Sequence, residues 1–533
     1  MEAGCPHAAL RPGAVAEQCP FLAAQGRLDA PAKFAEPVLD TGDIQADVVL
    51  GVNMKQHLLV VYYDITDAAA AKRWLREDVL PNVTTADNMR AFRDKFREAR
   101  LMAPGGAKPV LAGSQTLNVS FSYAGLTLLD APDVKMFEGP DGFGTAFSID
   151  LPKRAGLLGD LESGCPPSGW LTGGARSPHV LIQIGTDSLD EFEALRRRYA
   201  PFISEAPLEV AALDAQGVKF VHADEAHRLD SRGSEQFGFH DAVSNPALRG
   251  YYSDGVTPLS TRTFEGDRDV ALPGQDLLYP GEFIVLRDQE TDAVWTEGLA
   301  SEGGARQPSS ETWKSKYAST MPDWAANGAF LVNRRLRQDV SGFWSWCEAE
   351  AQKEANASQK EASAPLTAEA IAARLFGRWP SGCPLARSPL TDIAELGDDK
   401  LANNAYAFAV PSLVKTAPGD AFPKAVAVDV DGIVCPLSAH TRKMNPRDGP
   451  NDVSTPLKRR LMRRGLPYGP QLVNPKSGID DGKDRGLMFI AYCSSIEEQF
   501  EFLQRKWANS EHSPTDPTDI DPIIGQVWPP DDL

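Results

Sequence analysis

The feature that most constrains the fold is an order of predicted elements, strand–helix–strand, that occurs twice in the first half of the chain. A run of β-branched and aromatic residues from Gln56 to Ile65 predicts a strand, and Asp67 to Asp78 after it predicts a capped helix. A second helical pattern covers Asp87 to Leu101, and a strand is predicted from Leu117 to Leu126.

The same order then returns. His179 to Thr186 predicts a strand, Asp187 to Ala200 a capped amphipathic helix, and Val210 to His222 a hairpin-like pair. Because this alternation is typical of helices packed against an antiparallel sheet, it indicates a ferredoxin-like α+β sandwich.

The second half repeats this pattern with longer insertions. Strands are predicted for Gly281 to Leu286, Gly328 to Leu336 and Gly486 to Cys493, and a helix, Ser495 to Asn509, follows the last of them. Glu348 to Ala364 is rich in Ala, Glu and Lys and predicts a solvated helix or an insertion.

The length of 533 residues agrees with two related α+β domains, because single hydrophobic cores stop growing at about 250–300 residues. We predict an extension over residues 1–45, an N-terminal ferredoxin-like domain over 46–235, and a C-terminal ferredoxin-like domain with insertions over 236–533.

Charge and cysteine content exclude several classes of protein. The 54 basic and 73 acidic side chains give a net charge of −19, without the basic patch that nucleic-acid binders carry. The sequence contains no run of about 18 apolar residues, so it predicts no membrane span. The N-terminus lacks both the basic region and the unbroken apolar region of a secretory signal. Seven cysteines without zinc-site spacing are typical of a reduced protein. We therefore expect a cytoplasmic protein that binds neither nucleic acid nor membrane.

Three clusters carry candidate chemistry, and each also has an ordinary structural interpretation. The first is FGFHDAVSNP, Phe237 to Pro246, where Asp241 lies among aromatic and small residues in a loop that Pro246 keeps from becoming helical. The ordinary interpretation is an Asx-turn, in which the carboxylate bonds only its own backbone.

The second cluster is CPLSAHTRKMNPR, from Cys435 to Arg447. His440 follows an apolar segment and precedes Arg442 and Arg447, a combination that no other histidine of the chain has. One interpretation is a core histidine with surface arginines. The other is a haem iron ligand whose neighbouring arginines bind the haem propionates as bidentate forks.

The third cluster is RRGLPYGP, Arg463 to Pro470, followed about twenty residues later by RGLMF, Arg485 to Phe489. Arg463 taken alone could be an ordinary surface residue. Close to Asp241, it would complete a site for a peroxide.

Together the clusters resemble the dye-decolourising (DyP-type) haem peroxidase family, especially its longer fungal and bacterial members, over most of the chain. The family's Gly-x-x-Asp-Gly loop is matched from Gly238 to Ala242, with alanine in place of the closing glycine. Secondary matches are GRWPSGCPL, from Gly377 to Leu385, and NGAFLVNRRL, from Asn327 to Leu336. The other matches are the proximal motif His440, Arg442, Asn445, Pro446 and Arg447, the distal Arg463, and the distal pair Leu487 and Phe489.

This resemblance implies two ferredoxin-like domains in a dimeric α+β barrel-like peroxidase, with one haem b per chain bound mainly by the second domain. His440 is implied as the iron ligand, Asp241 as the acid–base residue for peroxide, and Arg463 as its electrostatic partner. The implied reaction uses H2O2 to oxidise dyes, phenols and other small or bulky aromatic reductants via a ferryl intermediate. A sheet face of this kind could also pair in a homodimer.

Further residues receive candidate roles, Leu487 and Phe489 from the resemblance and the others from their positions in the sequence. Leu487 and Phe489 would line the distal side of the haem, and Asp521 is the candidate partner for the second nitrogen of His440. Tyr468 and Trp507 are candidate surface electron relays for bulky substrates, with ordinary packing as the alternative for both.

Two other classes of function stay open at this point. Haem binding or handling without turnover would need His440 but not the Asp241–Arg463 pair. A cofactor-free interaction module would need none of the three, and a protein without a Soret band after haem-replete expression would favour it.

Overall fold

The computed structural model describes residues 39–49, 55–102, 111, 113–138, 144–161, 165–200, 216–248, 263–265, 268–270, 277–278, 280–285, 321–358, 366–400, 402–409, 421–424, 428–447 and 459–526. Most of the predicted extension, residues 1–45, lies outside the described residues. Within the described ranges, no helix is both long enough and apolar enough to cross a membrane.

Four strands of the N-terminal half form an antiparallel arrangement around a central strand. The central strand, His57–Ile65, is buried along Leu58–Tyr63. It is buried because other strands pair with it on both sides and both of its faces are covered. At its middle, Val60 lies opposite Gln183 on one side and Asp224 on the other. The strands are β1 His57–Ile65, β2 Thr116–Phe121, β3 Val180–Thr186 and β4 Val218–His227.

Helices of this half begin at side-chain caps that the sequence supplies. The Asp67 carboxylate accepts a hydrogen bond from the Ala70 amide at 2.8 Å, and the Ser188 hydroxyl accepts one from the Glu191 amide at 3.3 Å. The helices are α1 Ala46–Val49, α2 Ala68–Trp74, α3 Ala86–Met102, α4 Tyr123–Leu128, α5 Thr145–Ile149 and α6 Leu189–Tyr199. A π-helical turn, Leu75–Val79, continues α2.

The C-terminal half supplies the remaining strands and the helices that carry the site. Its strands are β5 Ala247–Leu248, β6 Thr263–Glu265, β7 Arg268–Val270, β8 Leu277–Leu278, β9 Phe330–Arg337, β10 Met462–Arg463, β11 Leu466–Tyr468 and β12 Gly486–Cys493. Its helices are α7 Val340–Ser358, α8 Ala368–Phe376, α9 Ala394–Asp398 and α10 His440–Met444, and π-helical turns cover Ile496–Glu501 and Leu503–Ala508.

Among the described residues, eight strands from both halves join in one antiparallel sheet. β12 pairs with β9 on one side and with β10 and β11 on the other. β11 then pairs with β4, where Tyr468 lies opposite Ala226, and β4, β1, β3 and β2 follow in that order. The sheet therefore runs continuously from the site-bearing strands into the N-terminal half.

Several predicted elements are confirmed within a residue or two, among them β1, α3, β3 and β12. The predicted strand from Leu117 to Leu126 is too long, because Ser122 caps α4 and the chain turns into helix there. The strand predicted over Gly281 to Leu286 is wrong in its described part: Pro280–Glu282 is a 3-10 helix followed by a turn. Of the predicted pair Val210 to His222, residues 210–215 lie outside the described residues, and the rest enters the single strand β4.

Candidate active site

His440 is the first residue of α10, and its ring is held from one side by a buried carboxylate. Its Nδ1 donates to Oδ2 of Asp521 at 2.8 Å, and because a carboxylate can only accept, we assign the proton to Nδ1. The Asp521 side chain is buried, and its other oxygen accepts from the amides of Ile523 and Ile524. This arrangement leaves Nε2 of His440 as the basic nitrogen that can bind a metal.

Asp241 and Arg463 form the second polar pair. Asp241 lies in the loop after β4, Arg463 ends β10, and Nη1 of Arg463 lies 3.4 Å from Oδ1 of Asp241. The same oxygen accepts from the amide of Ala242 at 2.6 Å. The Asp241 carboxylate therefore makes a hydrogen bond to the neighbouring backbone, as in the Asx-turn interpretation. It also contacts an arginine, as a peroxide site requires.

Asn245, which is not among the residues predicted for the site, holds the arginine in place. Its Nδ2 donates to the Arg463 carbonyl at 3.0 Å, and its Oδ1 lies 3.3 Å from both the amide and Nε of Arg463. The side chain of Asn245 thus forms two hydrogen bonds with the backbone of Arg463, as a neighbouring strand would. It also fixes the guanidinium of Arg463. The available signal for Asn245 was its position four residues after Asp241, within the cluster from Phe237 to Pro246.

A cavity of about 1630 Å³ is lined by His440, Asp241 and Arg463 together. This volume exceeds the ~300–1,000 Å³ of ordinary small-molecule sites, so there is room for a large flat ligand. Leu487 and Phe489 line it from alternate positions of β12, as the period of a strand requires.

Arg442 does not take the place predicted for it. Its guanidinium is buried, donates to Oδ2 of Asp429 at 3.0 Å and to the Cys435 carbonyl at 2.7 Å, and lies 4.2 Å from the centre of the Phe408 ring. Arg442 is also not among the described residues that line the cavity. The propionate role predicted for it is therefore corrected to a structural one: it fixes the segment that leads into α10.

Arg447 lines the cavity, as predicted, and the structure places a second arginine beside it. Arg447 donates to the Tyr406 carbonyl at 3.2 Å and lies 3.8 Å from the centre of that ring. Arg378, which the sequence argument did not single out, shares Oδ1 of Asn404 with Arg447, at 2.6 and 3.2 Å respectively. The signal for Arg378 was its place in the secondary match GRWPSGCPL.

Arg378 is a buried cation, and none of its hydrogen-bond partners among the described residues is a carboxylate. Its hydrogen bonds all go to carbonyl, amide or hydroxyl oxygens, and its Nε has no partner among the described residues. Burial, and after it the charge of Arg447, lower the pKa of Arg378. A buried positive charge of this kind is compensated when an anion binds at the cavity wall beside it.

Tyr468 and Trp507 do not have the surface exposure predicted for electron relays. The Tyr468 side chain is 3% exposed; its ring lies 3.8 Å from the Arg335 guanidinium and its hydroxyl donates to Asp484 at 3.3 Å. Trp507 is 2% exposed and packs in the core against Phe502. The prediction was wrong about their exposure, because β11 and the last π-helical turn face inward here.

Glu235 fixes the loop that leads to Asp241. Its carboxylate accepts from the amides of Phe237 and Phe239 at 2.9 and 2.8 Å and from Gln338. Burial, and to a smaller extent the charge of Asp241, raise the pKa of Glu235 to about 7. A second ionisable carboxyl therefore lies at the wall of the same cavity.

Comparison with known proteins agrees with this geometry. Residues 43–196 match the family described as the DyP dimeric alpha+beta barrel domain, and residues 299–519 match the Dyp-type peroxidase C-terminal domain. Peroxidase 2 of Mycetinis scorodonius is 28% identical over 497 residues, which cover 91% of this chain and 77% of that protein. A dye-decolorizing peroxidase of Auricularia auricula-judae is 27% identical over 506 residues, 93% of this chain and 79% of that protein.

Solved structures show the same likeness. A dye-decolorizing peroxidase in complex with 2,6-dimethoxyphenol superposes with a TM-score of 0.62 at 26% identity, covering 92% of this chain and 90% of that one. An ancestral D-type dye-decolorizing peroxidase gives a TM-score of 0.64 at 27% identity, over 92% of this chain and 89% of the other.

The donor set fits haem: an imidazole whose Nδ1 is hydrogen-bonded to a carboxylate, an apolar wall, and a buried arginine whose hydrogen-bond partners among the described residues are all neutral. The fold and this site define a haem peroxidase built on an antiparallel α+β sheet. Within that class, the chain belongs to the dye-decolourising, or DyP-type, peroxidase family. These findings support catalytic turnover and not the alternative of haem handling without it.

Proposed function

We propose that this protein binds one haem b per chain at His440 and uses H2O2 to oxidise phenols and dyes. The observation that carries the proposal is the common cavity, which is lined by His440, held by Asp521 behind it, and by the Asp241–Arg463 pair. An iron ligand and a peroxide-activating pair are the two parts that this chemistry needs.

On the proximal side, the chain's own residues set the strength of the iron ligand. Nε2 of His440 would hold the iron, and the hydrogen bond from Nδ1 to Asp521 makes the imidazole a stronger electron donor. The propionates would lie against Arg447 and Arg378, where their charge compensates the buried guanidinium of Arg378. When bound, haem supplies the iron at which the O–O bond of the peroxide is broken.

On the peroxide side, Asp241 moves the proton and Arg463 stabilises the charge. Oδ1 of Asp241 already accepts from Arg463 and from the Ala242 amide, so Oδ2 is the atom that takes a proton from one peroxide oxygen and delivers it to the other. The guanidinium of Arg463, fixed beside this carboxylate, would stabilise the negative charge that develops on the peroxide.

The reducing substrates are proposed from the relatives. The structural relative with bound 2,6-dimethoxyphenol supports a phenol as substrate, and the names of the relatives support dyes. The homodimer and the cytoplasmic location expected from the sequence stay predictions, and light scattering of the purified protein tests the first.

The proximal part of the proposal is tested by absorption spectra after haem-replete expression. We expect the wild type to show a Soret band and His440→Ala to lose it or shift it strongly. His222→Ala, which removes a ring outside the cavity lining, is the matched control and should keep the spectrum. A normal spectrum in His440→Ala would exclude this residue as the ligand.

The distal part is tested by stopped-flow spectra of the holoenzyme mixed with H2O2. Asp241→Asn keeps the shape but cannot carry the proton, so we expect the reaction to slow by ~10²–10⁴-fold. Arg463→Leu loses charge stabilisation, with an expected cost of ~10²–10³-fold. Arg232→Leu, which breaks a surface ion pair with Asp398, should react at the wild-type rate. Wild-type rates in both distal variants would overturn the assignment.

A further inference from the structure

Lys443 is a buried lysine close to the proposed iron ligand, and the mechanism above does not use it. It lies on α10, about one turn after His440, with its side chain fully buried. Its Nζ donates to the carbonyls of Ser510, Ser513 and Asp519, at 2.6, 3.1 and 2.6 Å. All three donors of the ammonium are therefore used, which is the condition under which burial of a charge is tolerated.

All three carbonyls belong to one segment, and that segment ends at the carboxylate that contacts His440. The segment leaves the last π-helical turn at Ser510 and reaches Asp521, whose amide donates to the Ala508 carbonyl at 2.8 Å. It is thus tied to α10 at two places, through Lys443 and through the bond from His440 to Asp521. Both ties start from the same short helix.

We propose that Lys443 is a positioning residue for the proximal pair: by holding the carbonyls of residues 510–519 it fixes Asp521 at hydrogen-bonding distance from Nδ1 of His440. This inference rests on the proposed role of His440 as iron ligand. Three ammonium bonds tie this segment to α10, in addition to the backbone bonds from the Thr518 amide to the Glu511 carbonyl and from the Asp521 amide to the Ala508 carbonyl. A hydrogen bond of 2.8 Å to a ligand imidazole is sensitive to small displacements of the acceptor, so the position of the segment controls the donor strength of His440.

The variant that tests this is Lys443→Met, which keeps the aliphatic stem and removes the donors. We expect the ferric/ferrous reduction potential of the holoenzyme to rise, because a weaker hydrogen bond makes His440 a poorer donor. The rate of haem transfer to a scavenging apoprotein should rise with it. Asp521→Asn removes the carboxylate itself, with a cost of ~10–100-fold in haem retention. Lys443→Met should move both measurements in the same direction, by less.

A matched control separates positioning from general loss of stability. Tyr63→Phe removes a buried hydrogen bond within the N-terminal half, from the Tyr63 hydroxyl to the Tyr199 carbonyl, and neither residue lines the cavity. It should lower the melting temperature without changing the potential. Where Lys443→Met does not fold, Lys443→Gln keeps part of the donor set and should give an intermediate shift.

The results distinguish this inference from the proposed function. A wild-type potential in Lys443→Met, together with a shifted one in Asp521→Asn, overturns the role of Lys443 and leaves His440 as ligand. An unchanged spectrum in His440→Ala overturns the proposed site itself. Shifts of equal sign in the Lys443 and Asp521 variants, absent from Tyr63→Phe, support the inference.

Discussion

At the scale of single residues, Ala242 shows how a backbone requirement lies behind a sequence motif. Its φ is +60°, in the left-handed region where a Cβ is crowded by the following carbonyl. Its amide nevertheless donates to Asp241, so the strained residue helps to orient the proposed acid–base group. The sequence resemblance placed a glycine here, and the structure gives the physical reason for that glycine.

We predict that Ala242→Gly stabilises the protein by roughly 0.5–1 kcal/mol, because the gain from relieved strain exceeds the added flexibility of the unfolded chain. Thermal unfolding of the holoenzyme measures it. Gly238→Ala is the opposite control in the same loop: φ is +96° and open space surrounds the added Cβ, so only backbone strain acts and stability should fall. A lower melting temperature for Ala242→Gly would contradict the strain argument.

The residues of the site were predictable to different degrees. His440 and Asp241 stand out because each lies in a short run with distinctive neighbours. Whether Arg442 or Arg447 reaches the cavity depends on the position of Asp429, a carboxylate eleven residues before His440, and no local pattern contains that information. For Arg378 the motif GRWPSGCPL marks the segment but not the role, because the set of neutral groups that surrounds its guanidinium among the described residues is created only by the fold.

At the scale of elements, the loop from Glu235 to Asp241 is held by a carboxylate rather than by a helix or strand. The two amides of Phe237 and Phe239 point at Glu235, and the loop then delivers Asp241 to Arg463. Because the fold raises the pKa of Glu235 from 4.5 to about 7, the folded protein holds this proton more tightly than the unfolded chain does. Stability from this residue is thus fully present below pH ~4.5 and is lost as the pH rises towards 7.

We therefore predict that Glu235→Gln flattens the fall in stability between pH ~4.5 and 7, which for the wild type amounts to roughly 3 kcal/mol from this residue. Denaturant unfolding at several pH values measures the slope. Burial raises the pKa of Glu497 to about 7 as well, so Glu497→Gln is the matched control. It should flatten the slope similarly, while only the Glu235 variant alters the pH profile of the reaction with H2O2. Identical reaction profiles in both variants would contradict a role for Glu235 in the loop.

The elements that the sequence predicted well are those whose environment is uniform along their length. β1 and β12 are covered on both faces over most of their length and form continuous apolar runs, whereas α3 shows a helical period. Gly281 to Leu286 has the same apolar character as a strand, but its described part, residues 281–285, is a 3-10 helix and a turn within the core around Phe283 and Ile284. Apolar content alone does not separate these cases, since a short buried turn and a short buried strand have the same composition.

At the scale of the whole molecule, the two predicted halves are joined in one sheet rather than merely packed together. The junction is short: β11 pairs with β4 at Tyr468 and Ala226. Sequence order could predict the strands of each half, but not this junction, because pairing between distant strands depends on tertiary packing. The junction also explains the burial of Tyr468, which lies between Arg335 of β9 and the strand of the other half.

The position of Tyr468 and Trp507 leads to a prediction about bulky substrates. A relay that accepts electrons directly from a large dye must present its ring at the surface, and these two side chains are 3% and 2% exposed. We therefore expect the double variant Tyr468→Phe with Trp507→Phe to change the rates on an anthraquinone dye and on 2,6-dimethoxyphenol in the same proportion. Steady-state rates on both substrates give the ratio of dye oxidation to phenol oxidation, and the H2O2 reaction is followed separately. The Trp507→Phe single variant shows how much repacking of the core contributes to any change in these rates. Loss of dye oxidation alone, with phenol oxidation and the H2O2 reaction intact, would show that these aromatics carry electrons from the surface despite their burial.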